Sequence, residues 1–420
     1  MPLEHAVAVL KFQQARETVI AQVRAQVGAD RRTLPTETVA LTGSLDRVLA
    51  EPVHADRDFP PFPRSTRDGF AVRSADCAEL PARVRRIGEA RAGEAFDGTV
   101  GAMECVEIMT GASVPTGADA VVMVEYTAER DGWVELSRAA APGLNVVPQG
   151  SESRRGDLLL SAGRRIGYAE TAMLAAVGKE TVSVYRMPRA AILPTGDEVV
   201  EIGVAPGPYQ IRNSNSYSLQ AQVARAKAHP LPIGIAPDRE DRLREMIVEG
   251  LQADLLLLSG GVSMGKFDLV EKVLAELGAE FFFDGVAIQP GKPLVFGRAQ
   301  GTFFFGLPGN PLSTMVTFEL FARPALTLLS GEPEAPLVFL RARLAEDLRR
   351  RPGLTAFLPA LLRAGLEVGS DPVGAPPVVS LVDWKGSGDV AALNRANCYL
   401  VVPEDAAELR AGDWVAVLPR

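Results

Sequence analysis

Four short stretches of the 420-residue chain combine acids, glycines and small polar residues, and each follows an apolar run: PTGDE (194–198), PDRE (237–240), SGGVSMGKFD (259–268) and LPGNP (307–311). If the apolar runs are strands of one open sheet, all four loops leave its carboxyl edge, where such sheets bind ligands. Asp197, Glu198, Asp238 and Asp268 would then crowd one rim and repel one another unless a hard cation, most simply Mg2+, lay between them. The glycines let backbone N–H groups approach an anion. Asn310 and Pro311 suit the cap and first residue of a helix whose free N–H groups face the same rim, and Lys292 in IQPGKP adds a cation. Together these residues predict an anion-plus-magnesium site, although any one of the acids, taken alone, reads equally as a solvated turn residue or helix cap.

SGGVSMGKFD also contains the spacing Gly260-x4-Gly265-Lys266, the first part of a phosphate-loop pattern. Phe267 stands where that pattern needs a magnesium-binding Ser or Thr, which leaves a phosphate-loop nucleotidase as a minor reading.

These loops need a rigid frame. From residue 189 onward, strand-like and helix-like runs alternate, and the strands (ADLLLL, EFFF, TFFFG) are apolar on both faces. That pattern predicts a parallel or mostly parallel sheet covered by helices over 189–329. Upstream, residues 3–28 have the spacing of an amphipathic helix, and the prolines of DFPPFPRSTRDGFAV enforce an extended path. Short β runs fill 80–140, and a short helix over 166–178 ends at Gly178. Downstream, 335–420 reads as a small antiparallel β domain. The expected organisation is an N-terminal region (1–188) with an insertion at about 55–143, the α/β domain, and the β domain.

Composition narrows the function. Acidic residues outnumber basic ones 52 to 44, giving a net charge of −8, which argues against a general nucleic-acid or membrane-surface binder. No apolar run approaches the ~20 residues of a bilayer span, and the N-terminus lacks the layout of a secretion signal. Cys77, Cys105 and Cys398 are too scattered for a zinc site or disulfide framework, so a reducing, cytoplasmic setting is expected.

FPPFPRSTRDGFAV, IMTGASVPTGADAVV, LPTGDEV, SGGVSMGKFD, PGKP and FFGLPGNPLSTMVTFE, in this order, resemble the signature segments of MoeA-type molybdopterin molybdenumtransferases, the family that includes the gephyrin E domain. The resemblance runs along nearly the whole chain. It implies an elongated N-terminal region of two subdomains, a central three-layer molybdopterin-binding α/β domain, and a C-terminal β-barrel. It also implies a homodimer, with each cleft formed between the α/β domain of one subunit and the N-terminal region of the other. The implied reaction inserts molybdate into adenylylated molybdopterin with Mg2+ and releases AMP. Implied partners are a molybdopterin adenylyltransferase and the molybdoenzymes or their chaperones.

By motif position the resemblance marks Asp68, Thr110, Glu198 and Asp268 as catalytic, and Glu198, Asp238 and Asp268 as metal ligands. Substrate contacts fall to Ser259, Gly260, Gly261, Ser263, Lys292, Pro308, Gly309, Asn310, Pro311 and Ser387. Read without the family, Asp68 and Thr110 are an ordinary turn residue and strand-end residue. Several positions depart from the family pattern: Gln289 and Pro359 stand where Lys and Arg are frequent, Val147 replaces an arginine, and Glu152 replaces an Asp. Arg64 and Arg67 add charge beside Asp68, and the expectation is that they partly replace the lost cations. These departures keep open a non-catalytic homologue that binds molybdopterin as a scaffold.

Overall fold

A computed structural model describes residues 9–28, 31, 33–261, 269–334, 336–363 and 376–420. The chain divides into two compact units: one comprises residues up to 38, 46–50 and 183–420, the other 39–45 and 51–182. The architecture is multidomain α/β plus β, as expected.

In the larger unit, helix α1 (Phe12–Val27) begins well after residue 3. Val9–Leu10 is instead extended and pairs in parallel with Gly285–Val286, and Lys11 is still in a β conformation. Strand pairing thus outweighs the helical spacing of the first residues. The smaller unit holds a mixed six-stranded sheet of β1 (Gly69–Val72), β2 (Ala82–Ala90), β3 (Glu104–Ile108), β4 (Ala120–Met123), β5 (Thr127–Arg130) and β6 (Trp133–Leu136), in the order β4-β1-β3-β2-β6-β5. Phe70 and Val72 of β1 pack into one apolar cluster and Ala71 into another, so this strand is buried on both faces. Helix α2 (Tyr168–Ala176) lies later in this unit and ends before Gly178, whose φ of 73° suits a helix stop.

The α/β domain continues the larger unit with β7 (Arg189–Pro194), α3 (Ser214–Arg225), β8 (His229–Pro232), α4 (Glu240–Gly250), β9 (Leu255–Ser259), α5 (Leu269–Glu276), β10 (Glu280–Phe283), β11 (Val295–Ala299) and β12 (Thr302–Leu307). The sheet order is β8-β7-β9-β12-β11-β10. The first four strands are mutually parallel, whereas β12-β11 and β11-β10 are antiparallel. The antiparallel edge follows from a tight β11–β12 hairpin at Gln300–Gly301, both at positive φ, the geometry a two-residue hairpin requires.

Side-chain alternation explains the four leucines of β9. Leu255 and Leu257 join the cluster that includes α1, α3 and the last helices, while Leu256 and Leu258 join the cluster under α4 and α5. All four are fully buried, each contributing about 1.5–3 kcal/mol. After β12, α6 (Pro311–Thr317) runs through a π-turn (Phe318–Ala322) into α7 (Arg323–Leu329). This 19-residue stretch is apolar enough to span a bilayer, but 72% of it is buried in the core.

The barrel comprises β13 (Leu340–Leu344), β14 (Thr355–Arg363), β15 (Val378–Leu381), β16 (Cys398–Val402) and β17 (Trp414–Pro419), with α8 (Val390–Arg395) before β16. It closes because β14 pairs with both β15 and β16, and β17 joins β13 to β16. One pair, β13–β15, is parallel where the sequence pattern suggested an antiparallel domain throughout.

Candidate active site

The register of the parallel strands sets the site. Pro194 of β7 lies opposite Ser259 of β9, and Ser259 lies opposite Leu307 of β12, so three loops leave the sheet at one level. They surround a cavity of about 380 Å³, whose walls come from residues 194–195, 198–199, 211–215, 259–261 and 308–311, with Pro293. The loops touch backbone to backbone. A Cβ on Gly260 (φ +90°) would stand 2.7 Å from the Thr195 carbonyl oxygen, so only glycine fits there.

Three polar atoms at this cavity are buried and have no hydrogen-bond partner among the described residues: Thr195 Oγ1, Ser259 Oγ and Asn215 Oδ1. Buried polar groups are ordinarily satisfied, and three unsatisfied ones around one cavity leave hydrogen-bonding capacity there for a polar ligand. Asn215 is held in place, since its Nδ2 donates to the Gly309 carbonyl at 2.8 Å. Asn213 caps α3 by accepting from the Ser216 N–H at 3.1 Å.

Asn310 occupies the backbone position that caps α6, but its side chain does not cap the helix. Its Nδ2 instead donates to Ser387 Oγ at 2.9 Å, and the Leu312 N–H donates to the Ser387 carbonyl at 3.0 Å. Ser387 is therefore brought to the LPGNP loop, at the cost of one N–H expected to be free.

Among the expected acids, Glu198 lines the cavity. Asp238 does not: its Oδ2 faces the Asp197 N–H at 3.4 Å, while the Asp238 N–H donates to Asp197 Oδ1 at 3.1 Å. This reciprocal pair relieves the crowding of acids without a cation. Lys292 is exposed and absent from the cavity wall, where its neighbour Pro293 stands. Ser263, Lys266 and Asp268 lie outside the described residues. Among the described residues no three His, Cys, Asp or Glu side chains form a metal cage.

The smaller unit carries the second group of expected residues. Gly69 pairs with Ile108 across β1 and β3, which sets the preceding Asp68 beside the residues that follow β3. Asp68 Oδ1 accepts from the Thr110 N–H at 2.6 Å and from Thr110 Oγ1 at 2.8 Å. These two bonds, the backbone one first, hold the Asp68 carboxyl below the ordinary carboxylate range and keep it ionised. A Cβ on Gly69 would stand 2.0 Å from the Val122 carbonyl oxygen, so the residue after Asp68 must be glycine. Asp68 borders a pocket of about 220 Å³ that also includes Glu107.

The departures acquire partners. Arg64 donates to Glu152 Oε1 at 2.9 Å, so two of the unusual residues bind one another. Arg67 lines a different pocket from Asp68, one that includes Arg138 and Tyr126. The expectation that both arginines restore charge at Asp68 is thus corrected for Arg64. At Gln289, Oε1 accepts from the Arg350 guanidinium at 3.0 Å, which returns a cation to the place where the lysine is missing. Pro359 is buried in the barrel strand β14, a position that supplies no cation.

Thr195, Asn215 and the rest of the 211–215 segment were missed by sequence reasoning. The available signal was the Asn-Ser-Asn run at the start of α3, which reads only as a helix cap.

The chain is similar to known proteins along most of its length. The family model for the MoeA N-terminal region (domain I and II) matches residues 10–178, that for a probable molybdopterin binding domain 191–328, and that for the MoeA C-terminal region (domain IV) 341–419. A molybdopterin molybdenumtransferase of Bacillus subtilis is 36% identical over 91% of this chain and 89% of its own. One from Haemophilus influenzae is 30% identical over 98% of each chain. Two crystal structures of the molybdopterin biosynthesis MoeA protein from Pyrococcus horikoshii superimpose. One does so with a TM-score of 0.76 at 31% identity, covering 98% of this chain and 99% of the other, and the second with 0.82 at 26% identity, covering 98% and 100%.

Proposed function

The chain belongs to the MoeA family of molybdopterin molybdenumtransferases, and from that premise we propose how its residues carry out the reaction. It is a transferase of molybdenum cofactor biosynthesis that takes molybdopterin and molybdate as substrates. The adenylylated pterin places its phosphate end in the strand-end cavity. Insertion forms two metal–sulfur bonds in exchange for oxygen ligands lost as water, and hydrolysis of the diphosphate link consumes one water and frees AMP.

The observation that carries this reading is the set of three partnerless polar atoms. Thr195 and Ser259 hydroxyls donate to phosphate or molybdate oxygens, while Asn215 Oδ1 accepts from a donor on the nucleoside or pterin. Two anions must meet in an acidic protein, and neutral donors fixed in a cavity orient them without introducing counterions that would need their own partners. Asp68, kept ionised by Thr110, is a fixed negative group suited to accept a proton or orient a water.

Magnesium fits the donor set. Glu198 with the hydroxyls of Thr195 and Ser259 presents oxygen ligands only, and a site with few protein ligands is typical of Mg2+ that keeps waters and substrate phosphates. When bound there, the ion would supply charge neutralisation for the diphosphate, with Glu198 as its protein carboxylate. The working unit is a homodimer in the cytoplasm, consistent with three buried, unpaired cysteines. It receives its substrate from a molybdopterin adenylyltransferase and delivers product to molybdoenzymes or their chaperones.

The test is AMP release from adenylylated molybdopterin by the purified protein, dependent on molybdate and on Mg2+. Release at catalytic rates supports the reading. Tight pterin binding without AMP release overturns it in favour of the scaffold, which the missing basic residues at Val147 and Pro359 would then explain.

A further inference from the structure

A second cavity of the larger unit, about 350 Å³, lies away from the strand-end loops and is lined by four arginines. Arg16 comes from α1, Arg225 from the last turn of α3, Arg323 from the start of α7, and Arg420 follows β17. The side-chain carboxylate in the wall is Glu319. It already accepts from Gln222 Nε2 at 2.9 Å and pairs with Arg323 at 3.0 Å, so one carboxylate faces four guanidinium groups in this wall.

Arg420 is held by backbone carbonyl groups, which orient a cation without neutralising it, and Arg16 also donates to one. Arg16 is only 6% exposed and donates to the Leu320 carbonyl at 3.1 Å. Arg420 Nη1 donates to the Leu393 carbonyl and to the Ala396 carbonyl, the latter at 3.0 Å. Glu334 acts on Arg16 from outside the wall but is also paired with Arg24. Burial pushes the Arg16 guanidinium down, with Glu334 opposing this and the nearby Arg323 adding to it. Arg420, Glu319 and Arg225 all act on the buried Tyr399 phenol, so three elements converge on one point.

Pro324, Leu337, Val338 and Leu418 add apolar surface to the same wall. A guanidinium cluster matches phosphate oxygens in geometry and charge, and the apolar surface leaves room for a compact carbon body. We propose that this cavity is a second anion site, separate from the catalytic cavity, that binds a phosphate dianion, either free or as a small phosphomonoester. The site does not depend on the reaction proposed above.

The experiment is calorimetric titration of the full chain with inorganic phosphate, phenyl phosphate and, as a control, phenol. Saturable binding of the phosphates and not of phenol is expected. Arg225→Gln, at an exposed position that leaves the core intact, should weaken it at least threefold, and R225Q/R420Q at least tenfold. Ser259→Ala, in the catalytic cavity, should leave it unchanged. Tighter binding of phenyl phosphate assigns the site to a phosphomonoester, and equal binding assigns it to free phosphate. Binding should also fall below about pH 6, where the dianion takes up a proton while the arginines keep their charge. Absent binding, or affinity unchanged in both arginine variants, overturns the proposal. Loss of affinity in Ser259→Ala with none in Arg225→Gln does so as well, because the phosphate would then be in the catalytic cavity.

Discussion

In the strand-end cavity, Thr195 Oγ1, Ser259 Oγ and Asn215 Oδ1 are buried and unpaired, whereas in the smaller unit Asp68 Oδ1 already accepts two bonds from Thr110. The first region carries a standing cost, because each orphaned polar group forfeits its hydration for nothing until a ligand arrives. The second is settled before any ligand is present: its charge is fixed and its geometry locked by a neighbour two bonds strong. A binding surface benefits from unmet demand, since ligand contacts then replace nothing. A charged group that acts during chemistry benefits from being held still. The two regions should therefore answer mutation in opposite ways.

The largest effect is expected at Asp68. Asp68→Asn keeps an acceptor for Thr110 but removes the charge, and AMP release should fall about 10²–10³-fold with substrate affinity nearly unchanged. Near-normal turnover would end the idea that this pocket acts on the reaction. Because the folded carboxyl lies below its unfolded value, its contribution to stability is present above about pH 4 and is lost as the pH falls through the folded value. Denaturation of wild type and variant should differ by a constant amount down to about pH 4 and converge below it.

Thr195→Val should have an intermediate effect with opposite signs on two readouts. The variant removes an orphaned hydroxyl at nearly constant shape, so the free protein should gain about 1 kcal/mol, read as a higher Tm. Binding of adenylylated pterin should weaken about 3–10-fold, the worth of one hydrogen bond. A loss of stability would mean that the hydroxyl is not waiting for a ligand, and the contrast between the regions would fail. The smallest effect is expected at Arg64→Gln. Its exposed pair with Glu152 should contribute no more than about 0.5 kcal/mol, with molybdate affinity unchanged in titration.

The frame of the site was legible in the sequence because its signals are local. Four consecutive leucines, buried on alternating faces, mark a central strand, and glycine-rich ends mark its loops. The strand Val295–Ala299 was not foreseen, since its hairpin partner begins after a two-residue turn whose Gln300 gives no usual turn signal. Helix α1 was placed too early because strand pairing of Val9 and Leu10 depends on residues nearly 280 positions away. Asp68 and Thr110 were legible only through family resemblance: their contact is created by the register of two strands. Thr195 and Asn215 were missed for a different reason, as an unsatisfied atom is defined by what surrounds it and leaves no mark on spacing. Gln289 shows the limit of reading departures one position at a time, since Arg350 supplies a guanidinium from another strand connection.

The bonds from Asn310 and Leu312 to Ser387 have a mechanical consequence. They fasten the turn before α8 to the loop that forms one lip of the cavity, so the barrel is a brace and not an appendage. The position of that turn and the position of the lip are therefore tied by two hydrogen bonds.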